Sequence, residues 1–233
     1  MSICAISPTG GRPEGFALLA EYINAQSYSG PLTWIIVDDV DPTTYIPKMR
    51  EGIDVVVIRP DWRWEPGMNT HARNMEKALD NVPSDAVCFV FEDDDIYLPG
   101  YIETMIESIS DSELIGEIDS RYYNVVTGKH RTLYGRYHCS LASTVCRGDA
   151  LQAFRDMCET GIKKMLDVTF WKNFKGKKKL LKTRNAIGFK GLPGRAGIGI
   201  GHNRHFGSVD INDTLRVWAG DYAANYDIFR EVR

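Results

Sequence analysis

Apolar residues fall into short continuous runs and into helix-like repeats, and the two kinds of segment alternate over the first half of the chain. The runs are rich in β-branched and aromatic residues, which favours strands buried on both faces. The repeats place apolar residues three and four positions apart, which is typical of amphipathic helices. The pattern predicts strands over Met1–Ile6, Thr33–Val37, Asp54–Ile58 and Val87–Phe91, and helices over Phe16–Ala25 and Thr70–Leu79.

The second half carries the same signals less regularly. Strands that alternate with helices at the spacing of βαβ units predict an α/β fold, with a mixed, mostly parallel central sheet flanked by helices. No repeat or linker divides the chain, so we expect a single domain over residues 1–233. Further predicted elements are helices over Ile102–Ile109 and Asp149–Cys158, a hairpin of Ser120–Val126 with Gly128–Leu133, and a strand over Cys139–Cys146.

The composition is that of an ordinary globular protein, since 43% of the 233 residues are hydrophobic and 25% are charged. A net charge of -3 gives no overall basic field that would attract nucleic acid or a membrane surface. Five cysteines without a Cys-x-x-Cys pair argue for a reducing compartment. No leader-like segment is present, nor an apolar stretch near the roughly 18 residues that span a bilayer. We therefore expect a cytoplasmic protein without membrane contact, and nothing indicates an obligate protein partner.

Four consecutive acidic residues, Glu92 to Asp95, follow directly on the apolar run Val87–Phe91. Carboxylates packed this closely repel each other, and burying them is costly unless a cation compensates their charge. Mg²⁺ is bound in such places through one or two carboxylates together with substrate phosphates. Ligands of open α/β sheets also bind beyond the carboxyl ends of the strands. The position therefore favours a metal–phosphate site over a solvated acidic turn, which is the alternative.

Two other segments carry weaker signals. The turn Ser7–Pro13 could offer backbone N–H groups to a phosphate, although an ordinary βα turn fits equally well and no Gly-x-Gly-x-x-Gly string is present. The glycine-rich segment 188–201 predicts a flexible loop that could close as a lid. His202 and His205 follow it, and His202 is a candidate metal ligand, with His205 as its rival.

Two further candidates lie between residues 160 and 185. Asp167 has apolar neighbours, and its pKa would rise if it were buried, whereas an exposed helix acid is the alternative. A basic concentration follows, which is either a solvated loop or a surface that contacts phosphates. Its central residues are Lys177, Lys178, Lys179 and Lys182.

Taken in order, these segments resemble the GT-A fold, and most closely the family 2 glycosyltransferases. The resemblance covers roughly the first half of the chain. It rests on the turn after the first strand, the pair Asp38-Asp39, the string His71-Ala-Arg-Asn74, and the segment from Glu92 to Tyr101. That last segment is similar to the Asp-x-Asp-Asp motif of the family, with Glu92 in place of its first Asp.

The resemblance implies transfer of a sugar from a UDP-sugar to an acceptor hydroxyl, with Mn²⁺ or Mg²⁺ as cofactor. It implies a donor-binding half over residues 1–100 and a half for the acceptor and catalysis over 101–233. Asp94, Asp95 and His202 would bind the metal, and Asp167 would act as the base of an inverting displacement. The donor-binding residues that it implies are Thr9, Gly10, Arg12, Asp38, Asp39, Arg73, Asn74, Glu92 and Asp93.

Other functions fit parts of the pattern. A nucleotidyltransferase would also combine an acidic metal site with a nucleotide loop, and a non-catalytic binder of nucleotides or sugars is a further alternative. As an acceptor, a hydroxymethylated base in DNA, as in some phage glycosyltransferases, would suit the four lysines together with Trp171, Phe174 and Phe189. A saccharide acceptor is the alternative to DNA.

Overall fold

Strands and helices alternate along the computed structural model, which describes residues 2–41, 44–162, 164–195 and 207–229. The strands are β1 (Ile3–Thr9), β2 (Leu32–Asp38), β3 (Ile53–Ile58), β4 (Val87–Val90), β5 (Asp95–Tyr97), β6 (Leu114–Glu117), β7 (Asp119–Asn124), β8 (Lys129–Tyr134), β9 (Thr144–Cys146), β10 (Lys178–Leu181), β11 (Ala186–Lys190) and β12 (Ser208–Val209). The α-helices are α1 (Pro13–Asn24), α2 (His71–Leu79), α3 (Tyr101–Ile109), α4 (Gly148–Glu159), α5 (Leu166–Asn173) and α6 (Thr214–Ala219).

The larger sheet has the strand order β10-β6-β9-β4-β1-β2-β3, and its strands run parallel except for β9, which is antiparallel to both neighbours. A mostly parallel sheet is therefore confirmed. The smaller sheet, β12-β8-β7-β11-β5, is mixed and contains the predicted hairpin as β7 and β8. Tyr97 and Asp95 of β5 pair with β11, so the chain just after the acidic residues belongs to the smaller sheet.

Helices cover both faces of the larger sheet, as the continuous apolar runs require. In β1 the side chains of Ile3 and Ala5 pack into one apolar cluster, which includes residues of α1 and α3. Cys4 and Ile6, on the opposite face, pack into a second cluster with residues of α2, α4 and α5. Since successive side chains of a strand point to opposite faces, the alternation is what a doubly covered strand produces.

The predicted strand Cys139–Cys146 is wrong over its first part, where Leu141–Ser143 forms a 3-10 turn and only Thr144–Cys146 is extended. Local hydrogen bonds explain this difference. The hydroxyls of Ser143 and Thr144 donate to the carbonyl of Ser140 at 3.2 and 2.9 Å, and such bonds compete with strand pairing.

The glycine-rich segment also differs from its prediction, because residues 188–190 belong to β11 rather than to a loop. Gly188 pairs with Asp95 across the sheet. A Cβ atom at Gly188 would lie 2.5 Å from the ring of Tyr122, so the absence of a side chain lets that ring pack against the strand. The rest of the described segment, 191–195, carries no regular structure.

The strand order of the larger sheet reverses at the carboxyl ends of β1 and β4, and we refer to this position as the crevice. β1 is followed by β2 and β3 on one side, whereas β4 lies on its other side. Thr9 at the end of β1 is level with Asp38 at the end of β2, and the amide of Phe91 donates to the carbonyl of Ile6 at 3.0 Å. The carboxyl ends of β1 and β4 thus meet where the strand order reverses, which is where ligands of open α/β sheets bind.

Candidate active site

Thr9 and Arg12 connect the end of β1 to the acidic turn after β4. The Thr9 hydroxyl donates to Asp93 Oδ2 at 2.8 Å, and the Arg12 guanidinium lies 2.6 Å from Asp93 Oδ1 and 2.8 Å from Asp94 Oδ2. Burial raises the pKa of Asp93, and the charge of Arg12 opposes that shift. Burial likewise disfavours the charge of Arg12, but Asp93, Asp94 and Glu92 outweigh it and raise its pKa. The Arg12 guanidinium is therefore permanently charged beside the acidic turn.

A second cation, Lys190 at the end of β11, approaches the same carboxylates from the smaller sheet. Its Nζ lies 3.2 Å from Asp94 Oδ2 and 3.5 Å from Asp95 Oδ1. The backbone amide of Phe189 also donates to Asp95 Oδ1, at 2.9 Å. Burial raises the pKa of Asp95 to about 7, although Lys190 opposes the shift. The two sheets thus meet at an ion-pair network in which each of the two cations contacts two carboxylates.

Glu92, Asp94 and Asp95 form the one group of three acidic, histidine or cysteine side chains in the described ranges that could hold a metal ion. One oxygen from each lies within 4.8 Å of the others. Carboxylate oxygens are the ligands that Mg²⁺ and Mn²⁺ prefer, so the residues fit the cation that the fold implies. Asp94 and Asp95 come together as predicted, and Glu92, predicted to contact the donor, joins them. His202 and His205 lie outside the described residues.

Glu92 lies at the solvent side of this group, beside His71 at the start of α2. Its Oε1 is 3.5 Å from His71 Nε2. Burial and the charges of Asp95 and Asp94 raise the pKa of Glu92 well above its ordinary value. Burial lowers the pKa of His71 to about 4, with Arg195 acting in the same direction. His71 is therefore neutral near pH 7 and adds no positive charge beside Glu92.

Asp38 and Asp39, at the end of β2, are both buried, and their carboxylates contact other groups of the protein. Asp38 accepts backbone N–H groups from Val40 at 3.3 Å and Thr44 at 2.8 Å and pairs with Arg59. These contacts fix the loop that follows β2. The expected contact of Asp38 with a base or ribose remains a prediction.

Asp39 is the centre of a separate buried network. Asn74 donates to its Oδ2 at 2.7 Å, Thr70 donates to the same oxygen, and Arg195 lies 3.0 Å from its Oδ1. A Cβ atom at Gly10 would lie 2.5 Å from Asp39 Oδ1, and Gly10 has φ +149°, so glycine is required there. Gly10, Asp39 and Asn74 are thus brought together as expected.

Arg195 is a site residue that the sequence analysis missed. Its guanidinium also donates to Thr70 Oγ1 at 2.7 Å and lies 5.1 Å from the ring centre of Trp64. The signal that could have revealed it is a lone arginine inside the glycine-rich segment. Arg73, in contrast, was expected in the site but is exposed and stacks on Trp62 at 3.7 Å.

Asp167 lies in the first turn of α5, where its Oδ1 accepts the N–H of Val168 at 2.8 Å. It is only half-buried. The pKa of half-buried Tyr122 is raised mainly by burial and to a lesser extent by the charges of Asp95, Glu92 and Asp167, whereas Lys190 opposes the shift. Asp167 and the acidic cluster thus both lie near enough to Tyr122 to act on its pKa.

The predicted lysine patch lies on β10, at the edge of the larger sheet. Three strand spacings of about 4.8 Å separate β10 from β4, so the patch is roughly 14 Å away from the acidic strand. Lys178 Nζ donates to the carbonyls of Trp171 at 2.7 Å and Phe174 at 2.9 Å, where it caps the C-terminal end of α5. Lys177, Lys179 and Lys182 are exposed.

The three rings that were expected beside these lysines for stacking on bases are buried instead. Trp171 is 1% exposed, Phe174 7% and Phe189 0%. They fill the core because α5 and β11 turn their apolar sides inward. The expectation that they form an aromatic platform for nucleic acid is therefore wrong.

A groove of about 610 Å³ runs along α5 next to the lysine patch. Val168, Trp171 and Lys172 line it at helical spacing, and Asp167 directly precedes Val168 in the same helix. Of the lining residues outside α5, only Lys178 and Lys179 were anticipated from the sequence. The lining residues are Arg136, Tyr137, His138, Val168, Trp171, Lys172, Lys178, Lys179 and Leu180.

No family model and no curated protein matches the sequence. Solved structures of S. aureus TarS are similar in fold. One aligns over 81% of this chain and 37% of its own, with TM-score 0.54 at 12% identity. TarS 1–349 with UDP aligns over 81% of this chain and 60% of its own, with TM-score 0.53 at 12% identity. TarS 1–349 with UDP-GlcNAc aligns over 84% of this chain and 60% of its own, with TM-score 0.51 at 13% identity.

The chain thus spans between 37% and 60% of the length of these proteins. At such low identity the similarity concerns the fold. It confirms the mixed α/β, GT-A-like architecture that the order of segments predicted. Among the described residues, no helix combines the length and apolar character needed to cross a bilayer.

Proposed function

We propose that this chain is a glycosyltransferase that moves a sugar from a UDP-sugar to an acceptor hydroxyl. The observation that carries the proposal is the buried cluster of Glu92, Asp94 and Asp95, with Arg12 and Lys190 against it, at the reversal of strand order. This crevice combines ligands for a cation with fixed positive charges. Solved structures of the same fold in complex with UDP and with UDP-GlcNAc support the choice of donor.

The residues of the crevice suit a leaving diphosphate. When bound, Mn²⁺ or Mg²⁺ held by Glu92, Asp94 and Asp95 would neutralise the charge that develops on the diphosphate. Arg12 is fixed by two carboxylates and adds a charge that needs no reorganisation during the reaction. Thr9 and Gly10 would line the diphosphate side of the crevice, and Asp39 the nucleoside side. In this proposal Arg195, fixed by Asp39 and Thr70, joins the donor-binding residues.

Asp167 is the proposed general base. It would accept the proton of the acceptor hydroxyl as that oxygen attacks the anomeric carbon, while the bond from that carbon to the diphosphate breaks. Its half-buried position at the start of α5 lets an acceptor approach. Direct displacement with one carboxylate base inverts the anomeric centre.

The groove along α5 is the proposed acceptor site. Its cationic lining from Arg136, Lys172 and Lys179, without an acidic residue, favours an acceptor that carries negative charge. A volume of about 610 Å³ is suited to one or a few sugar units, whereas a DNA duplex needs a much larger contact surface. We therefore favour an anionic saccharide over a hydroxymethylated base in DNA.

The test is an assay of UDP release from UDP-GlcNAc and other UDP-sugars, with a panel of anionic and neutral oligosaccharides and hydroxymethylated DNA. Acceptor-stimulated UDP release with mass gain on an oligosaccharide supports the proposal. Pyrophosphate release from a nucleoside triphosphate and a sugar phosphate would instead identify a nucleotidyltransferase. Binding of UDP-sugar without turnover of any acceptor would identify a binding protein.

A further inference from the structure

Lys190 occupies an unusual position for a lysine. Its side chain is only 9% exposed, its ammonium touches Asp94 and Asp95, and the ring centre of Tyr122 lies 5.8 Å from Nζ. Fully buried lysines are rare unless they are paired. β11 pairs with β5 and β7, and this pairing fixes the backbone of Lys190 so that its ammonium lies beside the cluster.

The two carboxylates that bind this ammonium belong to the group that could hold a metal ion. Lys190 Nζ contacts Asp94 Oδ2 and Asp95 Oδ1, and one oxygen each of Glu92, Asp94 and Asp95 lies within 4.8 Å of the others. A Mg²⁺ or Mn²⁺ ion approaches its oxygen ligands to about 2.0–2.2 Å. An ammonium within hydrogen-bond distance of the same two carboxylates would then lie close to a divalent ion, and like charges at short range repel strongly.

We propose that the Lys190 ammonium and a divalent cation are alternative partners of Asp94 and Asp95, so that metal binding displaces Lys190 from the cluster. The proposal rests on the proposed function for the identity of the cation. Displacement leaves a buried ammonium without its carboxylates, which is costly. The diphosphate of the donor supplies a new partner for it, so the metal and the nucleotide bind cooperatively, and each raises the affinity of the other by the same factor.

Titration of the protein with Mn²⁺ by calorimetry tests the exchange, with and without UDP as the diphosphate probe. Lys190→Met keeps an unbranched side chain one atom shorter and removes the charge. We expect this variant to bind Mn²⁺ at least about tenfold more tightly than the wild type when UDP is absent. UDP should strengthen Mn²⁺ binding in the wild type and do so less in Lys190→Met. Equal or weaker Mn²⁺ binding by Lys190→Met would overturn the proposal.

Two controls isolate the effect. Lys182→Met removes the same charge from an exposed position and should leave Mn²⁺ affinity unchanged, so a similar gain there would refute a local exchange. Lys190→Arg keeps a cation at the cluster and should bind Mn²⁺ no more tightly than the wild type. Tighter binding by Lys190→Arg would also contradict the proposal.

A measurement on the unaltered protein covers the case that Lys190→Met does not fold. A small acylating reagent, read by mass spectrometry, reports how accessible each lysine is. Mn²⁺ alone should increase labelling of Lys190 relative to Lys182, and unchanged labelling at saturating Mn²⁺ would overturn the exchange. These readouts do not depend on turnover. Failure of glycosyl transfer with an intact exchange would sink the proposed function only. Mn²⁺-dependent UDP release with the same Mn²⁺ affinity in Lys190→Met and the wild type would sink the exchange only.

Discussion

The Arg12 guanidinium lies 2.6 Å from Asp93 Oδ1, and this pair joins the loop after β1 to the acidic turn after β4. Asp93 is 1% exposed and Arg12 is 14% exposed, so water screens the pair little. Removing one member of a buried pair leaves an uncompensated charge, whereas removing both does not. The two strand ends that form the crevice therefore depend on each other for stability.

We expect Arg12→Met to lower the free energy of unfolding by about 3 to 5 kcal/mol at pH 7. Asp93→Asn combined with Arg12→Met should cost less than the sum of the two single changes, because Asp93, one of the two carboxylates that lose Arg12, is then uncharged. Urea unfolding measures both. Arg63→Met is the matched control, since its pair with Asp41 is exposed and should contribute less than about 1 kcal/mol. Additive single changes would contradict the coupling.

The stability of Asp95→Asn relative to the wild type should depend on pH. The pKa of Asp95 is raised to about 7 from an ordinary value of 3.8. Between these values the folded protein holds a proton that the unfolded chain releases, so the Asp95 contribution to stability falls as pH rises. Relative to the wild type, Asp95→Asn should become more stable from about pH 4 to about pH 7 and then level off.

Urea unfolding in the presence of EDTA measures this trend without metal. Asp41→Asn, at an exposed carboxylate, is the matched control. If Asp95→Asn loses stability relative to the wild type as pH rises, or if their difference does not change with pH, the raised pKa is contradicted.

Sequence patterns predicted β1, β2, β3 and β4 of the larger sheet because these strands are short apolar runs, whereas β6 was not predicted. Val87–Phe91 and Thr33–Val37 need no tertiary information to be identified as buried strands. The elements β5, β10 and β11 could not be predicted in this way. Each is short, and β5 and β11 carry charged residues, Asp95 and Lys190, that are buried against each other across the smaller sheet.

The candidate site was predictable where the residues follow a strand end and not where they come from distant segments. Asp94 and Asp95 adjoin a buried strand, so their position was evident. In the sequence, Lys190 and Arg195 are separated by about 100 residues or more from the carboxylates that they contact. Neither was assigned to the site from the sequence, because only the fold reveals which carboxylates Lys190 and Arg195 neutralise.

Asp167→Asn should retain UDP binding and lose transfer by roughly 10²–10⁴-fold, which is the usual range for general base catalysis. The amide has nearly the shape of the carboxylate but cannot accept the proton of the acceptor hydroxyl. Single-turnover transfer and calorimetry with UDP separate the two effects. Asp149→Asn, in the first turn of α4, is the matched control. Near-normal transfer by Asp167→Asn would move the base to another residue.

The double change of Lys172 and Lys179 to Gln should raise the KM for an anionic acceptor and leave UDP-sugar hydrolysis unchanged. Both side chains line the groove, and loss of two positive charges there weakens binding and flattens its salt dependence. A double change of Lys77 and Lys182 to Gln removes the same charge elsewhere. If both double variants behave alike, or if hydroxymethylated DNA is the better acceptor, the assignment of the groove to an anionic saccharide is wrong.

The central claim is that the acidic cluster binds a divalent cation together with the diphosphate of the donor. Calorimetry of UDP binding tests it most directly, with the wild type and Asp94→Asn, each in Mn²⁺ and in EDTA. We predict that Mn²⁺ strengthens UDP binding by the wild type at least about tenfold, equivalent to about 1.4 kcal/mol, and that Asp94→Asn loses this gain while it remains folded. Equal UDP affinity of the wild type in Mn²⁺ and EDTA, or an undiminished gain in Asp94→Asn, would contradict the claim.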